Sequence, residues 1–327
     1  MSKQIFNHTI PKFILRGFCI PGTENVSVYV KGVGIISGGY NINSGNIDKF
    51  FGARGQYSSK PISEIAPHSE NIIFDTNKNL EEALAKIESK VAPIISSYVV
   101  NGDKNIDQES INLLRIFAYL QFVRTPSFKD QHKQIINNYQ DPNLRQKFRD
   151  DLLKNKQILN RLGLSEDKIK AIFNSEDNVK TILAKFSEDN SNPFMHEIDI
   201  TNPTFLNTFV DNVIPHNIKL ITSRSSNSLF LPDIGVLQPV FENNYTQDGY
   251  IDMFLSVSSS TGILFYENGT DFPSVLDDDI VLKLNELAYL DSLKVLFGPS
   301  HQELETFGTK YDNRKISQNG FLKRFME

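Results

Sequence analysis

The sequence predicts an α+β fold: a mixed or antiparallel sheet built from N- and C-terminal segments, around a large helical middle part. Three observations carry this reading. Short alternating apolar segments open the chain, helical periodicity dominates from about residue 79 to 186, and strand-like segments return between 217 and 267.

Residues 8–18, HTIPKFILRGF, fit a short helix, with Thr9 as its cap, Pro11 in the first turn where a missing N–H costs nothing, and Gly17 at its end. Residues 26–36, VSVYVKGVGII, alternate and contain a Lys-Gly step, which predicts a hairpin. The stretch from Gly38 to Lys60 is rich in Gly, Asn and Ser and reads as a loop with a short strand at GQYSS, 55–59.

Leu80, Leu84, Ile87, Val91, Ile94 and Tyr98 recur at helical spacing and predict a helix over 79–99. Ile111, Leu114, Ala118 and Phe122 define a second over 108–124, ended by Pro126, which turns its predecessor away from helical backbone angles. Helical character continues over about 143–186, with Ser165 and Ser175 as N-caps. This polar stretch reads as a helical insert or subdomain at about 140–190.

Five strands are then predicted: NIKLITS (217–223), SLFL (228–231), GVLQPVF (235–241), YIDMFLSVS (250–258) and GILFYE (262–267). A long helix follows Ser274, with Asp277, Asp278 and Asp279 as an anionic start and Ile280, Leu284, Leu287 and Leu293 as its apolar face. From Lys310 to Glu327 the tail holds five basic and two acidic residues, the composition of a solvated end. With no internal repeat, residues 1–327 read as a single domain.

Composition bounds the function classes. The 327 residues are enough for a sizeable core, and 39% hydrophobic with 22% charged is ordinary for a globular chain. A net charge of −5 argues against gross affinity for nucleic acid or membranes, while leaving room for a local basic groove. The single cysteine, Cys19, excludes an internal disulfide. No charged-then-apolar leader opens the chain, and no apolar run approaches the ~18 residues of a spanning helix. The expectation is a cytoplasmic protein.

His68, His132, His196, His216 and His301 are scattered, without His-x-x-x-His or Cys-x-x-Cys spacing, so no metal site is expected. KGVGIISGG (31–39) lacks the lysine and following helix of a phosphate loop, and no Gly-x-Ser-x-Gly elbow is present.

Several segments together resemble a known bacterial family. The opening HTIPKFILRGF has the spacing His-x-x-Pro-x-x-x-Leu-Arg-x-Phe; GQYSS carries a Tyr-Ser step; LEEALAKIESKVAPII carries a glutamate at Glu88. FAYLQFVRTPSF ends a helix in Arg124, Thr125 and Pro126, IDMFLSVSSSTGILFY forms a strand pair, and LNELAYLDSLKVLFGPS, with Asn285, forms a closing helix. In these the chain is similar, nearly end to end, to the family catalogued as domain of unknown function 4238. The chain departs from it at ITSRSSNS (221–228), where family members often carry Thr-Ser-Asp-x-Pro. Arg224 stands at the expected aspartate and Ser226 at the expected proline.

The resemblance implies candidate residues but no established reaction, and it leaves the cofactor unknown. His8, at a helix start, suits general acid or base work, since an imidazole titrates near neutral pH. Glu88 and Arg124, on successive helices, can meet across a helical hairpin. Two function classes follow. In the first, the chain is an intracellular, phosphate-ester-acting enzyme, nuclease-like, in defence against phage or mobile elements. His8, Glu88 and Arg124 are then catalytic, Arg16, Tyr57 and Arg224 bind substrate, and the partner is nucleic acid or another phosphate-bearing ligand. In the second, the chain is a non-catalytic binding or interaction module. The His–Glu–Arg cluster is then a structural lock, and the helical middle contacts a partner.

Overall fold

The computed structural model describes residues 10–43, 60–65, 74–101, 106–124, 141–154, 165–174, 210–212, 214–237, 252–267, 272–292 and 294–312. The expected strand at 55–59 and the N-caps Thr9 and Ser175 lie outside the described residues.

The first sheet joins distant parts of the chain, as the α+β reading requires. Strand β1 (Asn25–Val30) is Val- and Tyr-rich and buried along its middle. It turns at Lys31–Val33 into β2 (Gly34–Ile35), with Tyr29 opposite Ile35, and also pairs with β3 (Tyr40–Asn41). Strands β4 (Asn217–Ser223), β5 (Leu231–Pro232), β6 (Met253–Ser258), β7 (Thr261–Tyr266), β8 (Val275–Leu276) and β9 (Val295–Gly298) follow. β9 runs antiparallel beside β1, Ser27 facing Gly298 and Val30 facing Val295, and β5 pairs with its other edge. The order is β2-β1-β9-β5, with β3 paired to β1.

The second sheet, β6-β7-β4-β8, comes from residues 217–276 alone. β4 is antiparallel to β7 and parallel to the short β8, so this sheet is mixed. Of the five strands expected here, 217–223 appears with those bounds. The expected strand at 228–231 shrinks to Leu231–Pro232. That at 235–241 is represented among the described residues by one bridge, Leu237 opposite Phe254.

Helices α1 (Lys12–Arg16), α2 (Ile62–Ile65), α3 (Leu80–Asn101) and α4 (Gln108–Val123) precede β4. α5 (Pro142–Lys154) and α6 (Glu166–Asn174) also precede it, and α7 (Asp278–Asp291) and α8 (His301–Asp312) flank β9. Pro11 occupies the cap position of α1, and among the described residues no side chain caps it; the Pro11 carbonyl accepts from the Ile14 and Leu15 N–H groups. Asp107 caps α4 by accepting from the Ser110 N–H at 2.7 Å, and the Ser165 hydroxyl accepts from Lys168 N at the start of α6.

α7 stops at Asp291 instead of running on through Leu293, and its buried face is Val281, Leu284, Asn285, Ala288 and Tyr289. The expected closing helix is therefore a helix followed by β9. Both sheets, α1, α3, α4, α7 and α8 contribute to one hydrophobic cluster. Ile169 of α6, though buried, is not part of it, and α5 and α6 pack on each other.

α1 lies directly on β6. The Gly17 carbonyl accepts from the Ser259 N–H at 2.9 Å, and a Cβ at Gly17 would stand 2.2 Å from the Val257 carbonyl oxygen. Gly17 has an ordinary right-handed φ of −66°, so glycine serves this backbone-to-backbone approach and not a left-handed helix end.

Candidate functional site

α3 and α4 form a helical hairpin that brings Glu88 and Arg124 together. Arg124 ends α4, its backbone N–H donating to the Leu120 carbonyl at 3.1 Å, so the side chain starts from a fixed point. The residue is fully buried, its side chain 2% exposed. Nη1 donates to Glu88 Oε1 at 2.6 Å and Nη2 donates to Gln121 Oε1 at 2.7 Å. The Glu88 side chain is 22% exposed, whereas Gln121 is fully buried. A buried guanidinium stays charged, so it is tolerable only with a carboxylate and further acceptors in place.

The turn after β5 closes over this group. Gly235 has φ +73°, and a Cβ there would lie 2.6 Å from Gln121 Nε2. Glycine is required twice, by the backbone conformation and by the amide beneath it. Gln121 escaped the sequence reading because an amide carries no charge to flag. Its spacing three residues before Arg124 on one helix was the available signal.

Of the other candidates, Arg16 and Arg224 are among the described residues. His8 and Tyr57 lie outside the described residues. Arg16 is exposed at the end of α1, with Nε 4.0 Å from Glu24 Oε2, and forms no bond with Glu88 or Arg124. Such an exposed pair contributes little to stability. Arg224 is exposed just past β4, its N–H donating to the Leu276 carbonyl at 3.1 Å. The structure thus joins Glu88 with Arg124 and leaves Arg16 and Arg224 out of that group.

The loop beginning at Arg224 is held from three sides. Asp278 Oδ1 accepts from the Ser225 hydroxyl and from the Ser226 N–H at 3.0 Å, and these bonds hold its carboxyl below the usual carboxylate range, the Ser225 hydroxyl foremost. Glu303 accepts from the Ser228 N–H. Buried Asn285 accepts from the Phe230 N–H at 2.8 Å and donates to the Ser228 carbonyl at 2.8 Å. Asn285→Ala leaves two backbone groups without partners. A loss of about 2 kcal/mol is expected, read as a lower urea midpoint with unchanged slope.

A further polar group ties α8 to the first hairpin. Asp312 accepts from the hydroxyls of Tyr29 (2.6 Å) and Tyr289 and from the Gly32 N–H at 2.8 Å. Burial pulls the Asp312 carboxyl up, but bonds from Tyr289, Tyr29 and Gly32 outweigh it and hold it low. Burial and the Asp312 bond push the Tyr29 phenol up to about 12 and Tyr289 upward in the same way. Both phenols stay protonated donors, which makes the group an anchor. Lys31 Nζ donates to the carbonyls of Tyr289 (2.6 Å) and Ser292 (2.7 Å), at the end of α7, and burial lowers its pKa.

Among the described residues no group of three or more His, Cys, Asp or Glu is arranged to hold a metal ion, and no helix is long and apolar enough to cross a membrane. No curated protein and no solved structure matches the chain. A family pattern described as "Protein of unknown function (DUF4238)" matches residues 7–298, from the His8 motif to the end of β9. The chain belongs to the DUF4238 family of proteins of unknown function.

Proposed function

We propose that this member of the family is a non-catalytic binding or interaction module, in which Glu88, Arg124 and Gln121 lock the α3–α4 hairpin against the body of the fold. One observation carries the reading. The Arg124 guanidinium, the group best suited to hold a phosphate, belongs to a side chain that is 2% exposed, and it is already engaged by Glu88 and Gln121. An arginine that clamps a substrate needs its fork directed at a cavity. The helical middle, whose buried Ile169 is separate from the main core, is then the surface offered to a partner.

A second reading has one observation in its favour. The Glu88 carboxylate reaches solvent while holding the guanidinium, as an orienting group beside a general acid does. In that reading the chain is a phosphate-ester-acting, nuclease-like enzyme in defence against phage or mobile elements, with His8 as acid or base. Hydrolysis of single-stranded DNA, RNA and an aryl phosphate by the full chain, with and without divalent metal, separates the two. The binding module gives no turnover above a protein-free blank. Turnover that His8→Ala abolishes at unchanged Tm overturns it in favour of the enzyme.

A further inference from the structure

α8 sits on the first sheet as a docked helix sits in its groove. Its buried residues, Leu304, Phe307, Gly308 and Tyr311, stand at i, i+3, i+4 and i+7, the stripe by which an amphipathic helix enters an apolar groove. Gly308 lies on the ring of Tyr29, where a Cβ would stand 2.3 Å from Cζ, and Phe307 meets Phe230 edge to face. Tyr289 of α7 closes the groove, its ring centre 6.5 Å from that of Phe307 and 5.4 Å from that of Tyr311. Polar ties fix both ends of the helix. The Ser27 hydroxyl and His301 Nδ1 share a hydrogen bond of 2.7 Å, Glu303 accepts from the Ser228 N–H, and Asp312 accepts from Tyr29, Tyr289 and Gly32.

The connection to this helix is short and stiff. β9 ends at Gly298 and α8 begins at His301, so only Pro299 and Ser300 lie between them. Ser300 already serves the helix start, its carbonyl accepting from the Leu304 N–H at 3.2 Å and its hydroxyl from the Glu303 N–H at 3.3 Å. The chain also reverses here. β9 runs from the level of Val30 to that of Ser27, whereas α8 runs from Ser27 at its first residue back to Tyr29 and Gly32 at its last. Proline fixes its own φ and drives the residue before it toward extended backbone, a preference for leading the chain straight on from β9.

The partners named for α8 lie in β1, the turn after it, the 228–230 segment and α7, and none lies in the hinge. The same contacts therefore form whether the helix is the chain's own or another copy's. We propose that two copies of this protein exchange α8 reciprocally, each helix filling the other's groove and the hinge opening at Pro299. Exchange of one element between identical chains closes a two-fold dimer that leaves neither groove unfilled, and a short reversing hinge invites it. Opening relieves the turn in both chains and keeps the helix contacts. Association entropy opposes it, so the dimer fraction rises with protein concentration.

The full chain is unfolded in urea, refolded at dilute and at concentrated protein, and weighed by light scattering. A species of twice the chain mass, more abundant after concentrated refolding, is expected. It should vanish when Gly-Ser-Gly-Gly is inserted between Pro299 and Ser300, since a long hinge lets α8 return to its own groove without a sharp turn. Two variants identify the exchanged element. Gly308→Ala drives a methyl into Tyr29, and Tyr29→Leu removes the ring atoms that this methyl meets. Refolded alone, each should melt below the native chain. Refolded together, reciprocal exchange seats the Gly308→Ala helix in the Tyr29→Leu groove and a native helix in a native groove. The co-refolded pair should then melt at least about 3 °C above the same two variants mixed after folding, and as a dimer. A native chain that keeps the mass of one copy after concentrated refolding overturns the proposal. A dimer that survives the insertion, or a co-refolded pair that melts like the separately folded variants, places the interface elsewhere and overturns it too.

Discussion

Arg124→Ala is expected to lower the free energy of unfolding by about 3–5 kcal/mol, the range for breaking a buried ion pair from one side. Removing the guanidinium strips Glu88 and Gln121 of the bonds at 2.6 and 2.7 Å. It also empties the volume of one of the largest fully buried side chains in the protein. Glu88 recovers part of the loss by turning to water, whereas fully buried Gln121 has no such route. Arg124→Lys should restore only a fraction, because an ammonium on a flexible stem cannot reproduce a planar fork that meets two acceptors. Urea unfolding of the native chain, both variants and Glu88→Gln measures this, and a double-mutant cycle isolates the coupling. A loss below about 1 kcal/mol for Arg124→Ala would show that the pair is not a lock.

Gly17→Ala is expected to cost about 3 kcal/mol or more, a large effect for the addition of one methyl. Ordinary overpacking is relieved by a neighbouring side chain that swings away. Here the new Cβ meets the backbone, 2.2 Å from the Val257 oxygen and 2.8 Å from the Ser258 Cα. Relief requires α1 to move off β6, which breaks the bond from Ser259 N to the Gly17 carbonyl and disturbs Ile14, Leu15 and Phe18, all at most 2% exposed. Gly22→Ala serves as a comparison, since nothing lies within 4 Å of its added Cβ, although its φ of +76° adds backbone strain. A Tm for Gly17→Ala no lower than that of Gly22→Ala would contradict the close docking of α1.

The Leu-Arg-Gly-Phe step of the opening motif takes on a physical meaning here. Leu15 and Phe18 are buried, Gly17 permits contact with β6, and Arg16 points out toward Glu24. Much of that motif describes how the first helix is seated.

Long periodic segments were the most legible. α3 and α4 follow from their apolar spacing, and β4, β6 and β7 from runs of β-branched and aromatic residues. β9 was hidden because its Val-Leu-Phe-Gly is buried on both faces, so it shows no alternation, and it follows α7 with little turn signal. β8, with two residues, is defined by its pairing with Thr222 and Ser223 and leaves almost no local trace. At the candidate site, the meeting of Glu88 and Arg124 was readable because opposite charges on neighbouring helices have few ways to be buried. The cover supplied by Gly235 was not, since it joins positions more than a hundred residues apart through a backbone conformation alone.

α8 begins three residues beyond the stretch that matches the family. Yet Gly308 rests on the ring of Tyr29, Phe307 meets Phe230 with ring centres 5.2 Å apart, and Glu303 and Asp312 bind the loop at Ser228 and the turn at Gly32. The length that the family pattern matches and the length that folds are therefore different quantities. A protein ended at residue 298 would present Tyr29 and Phe230, each 1% exposed here, to water. What the matched stretch demands at that place is a roof of suitable shape: a small residue over one ring, an aromatic beside another, and acceptors at two loops. Many sequences can meet that demand, so a segment beyond the matched stretch can still be indispensable to the core it covers.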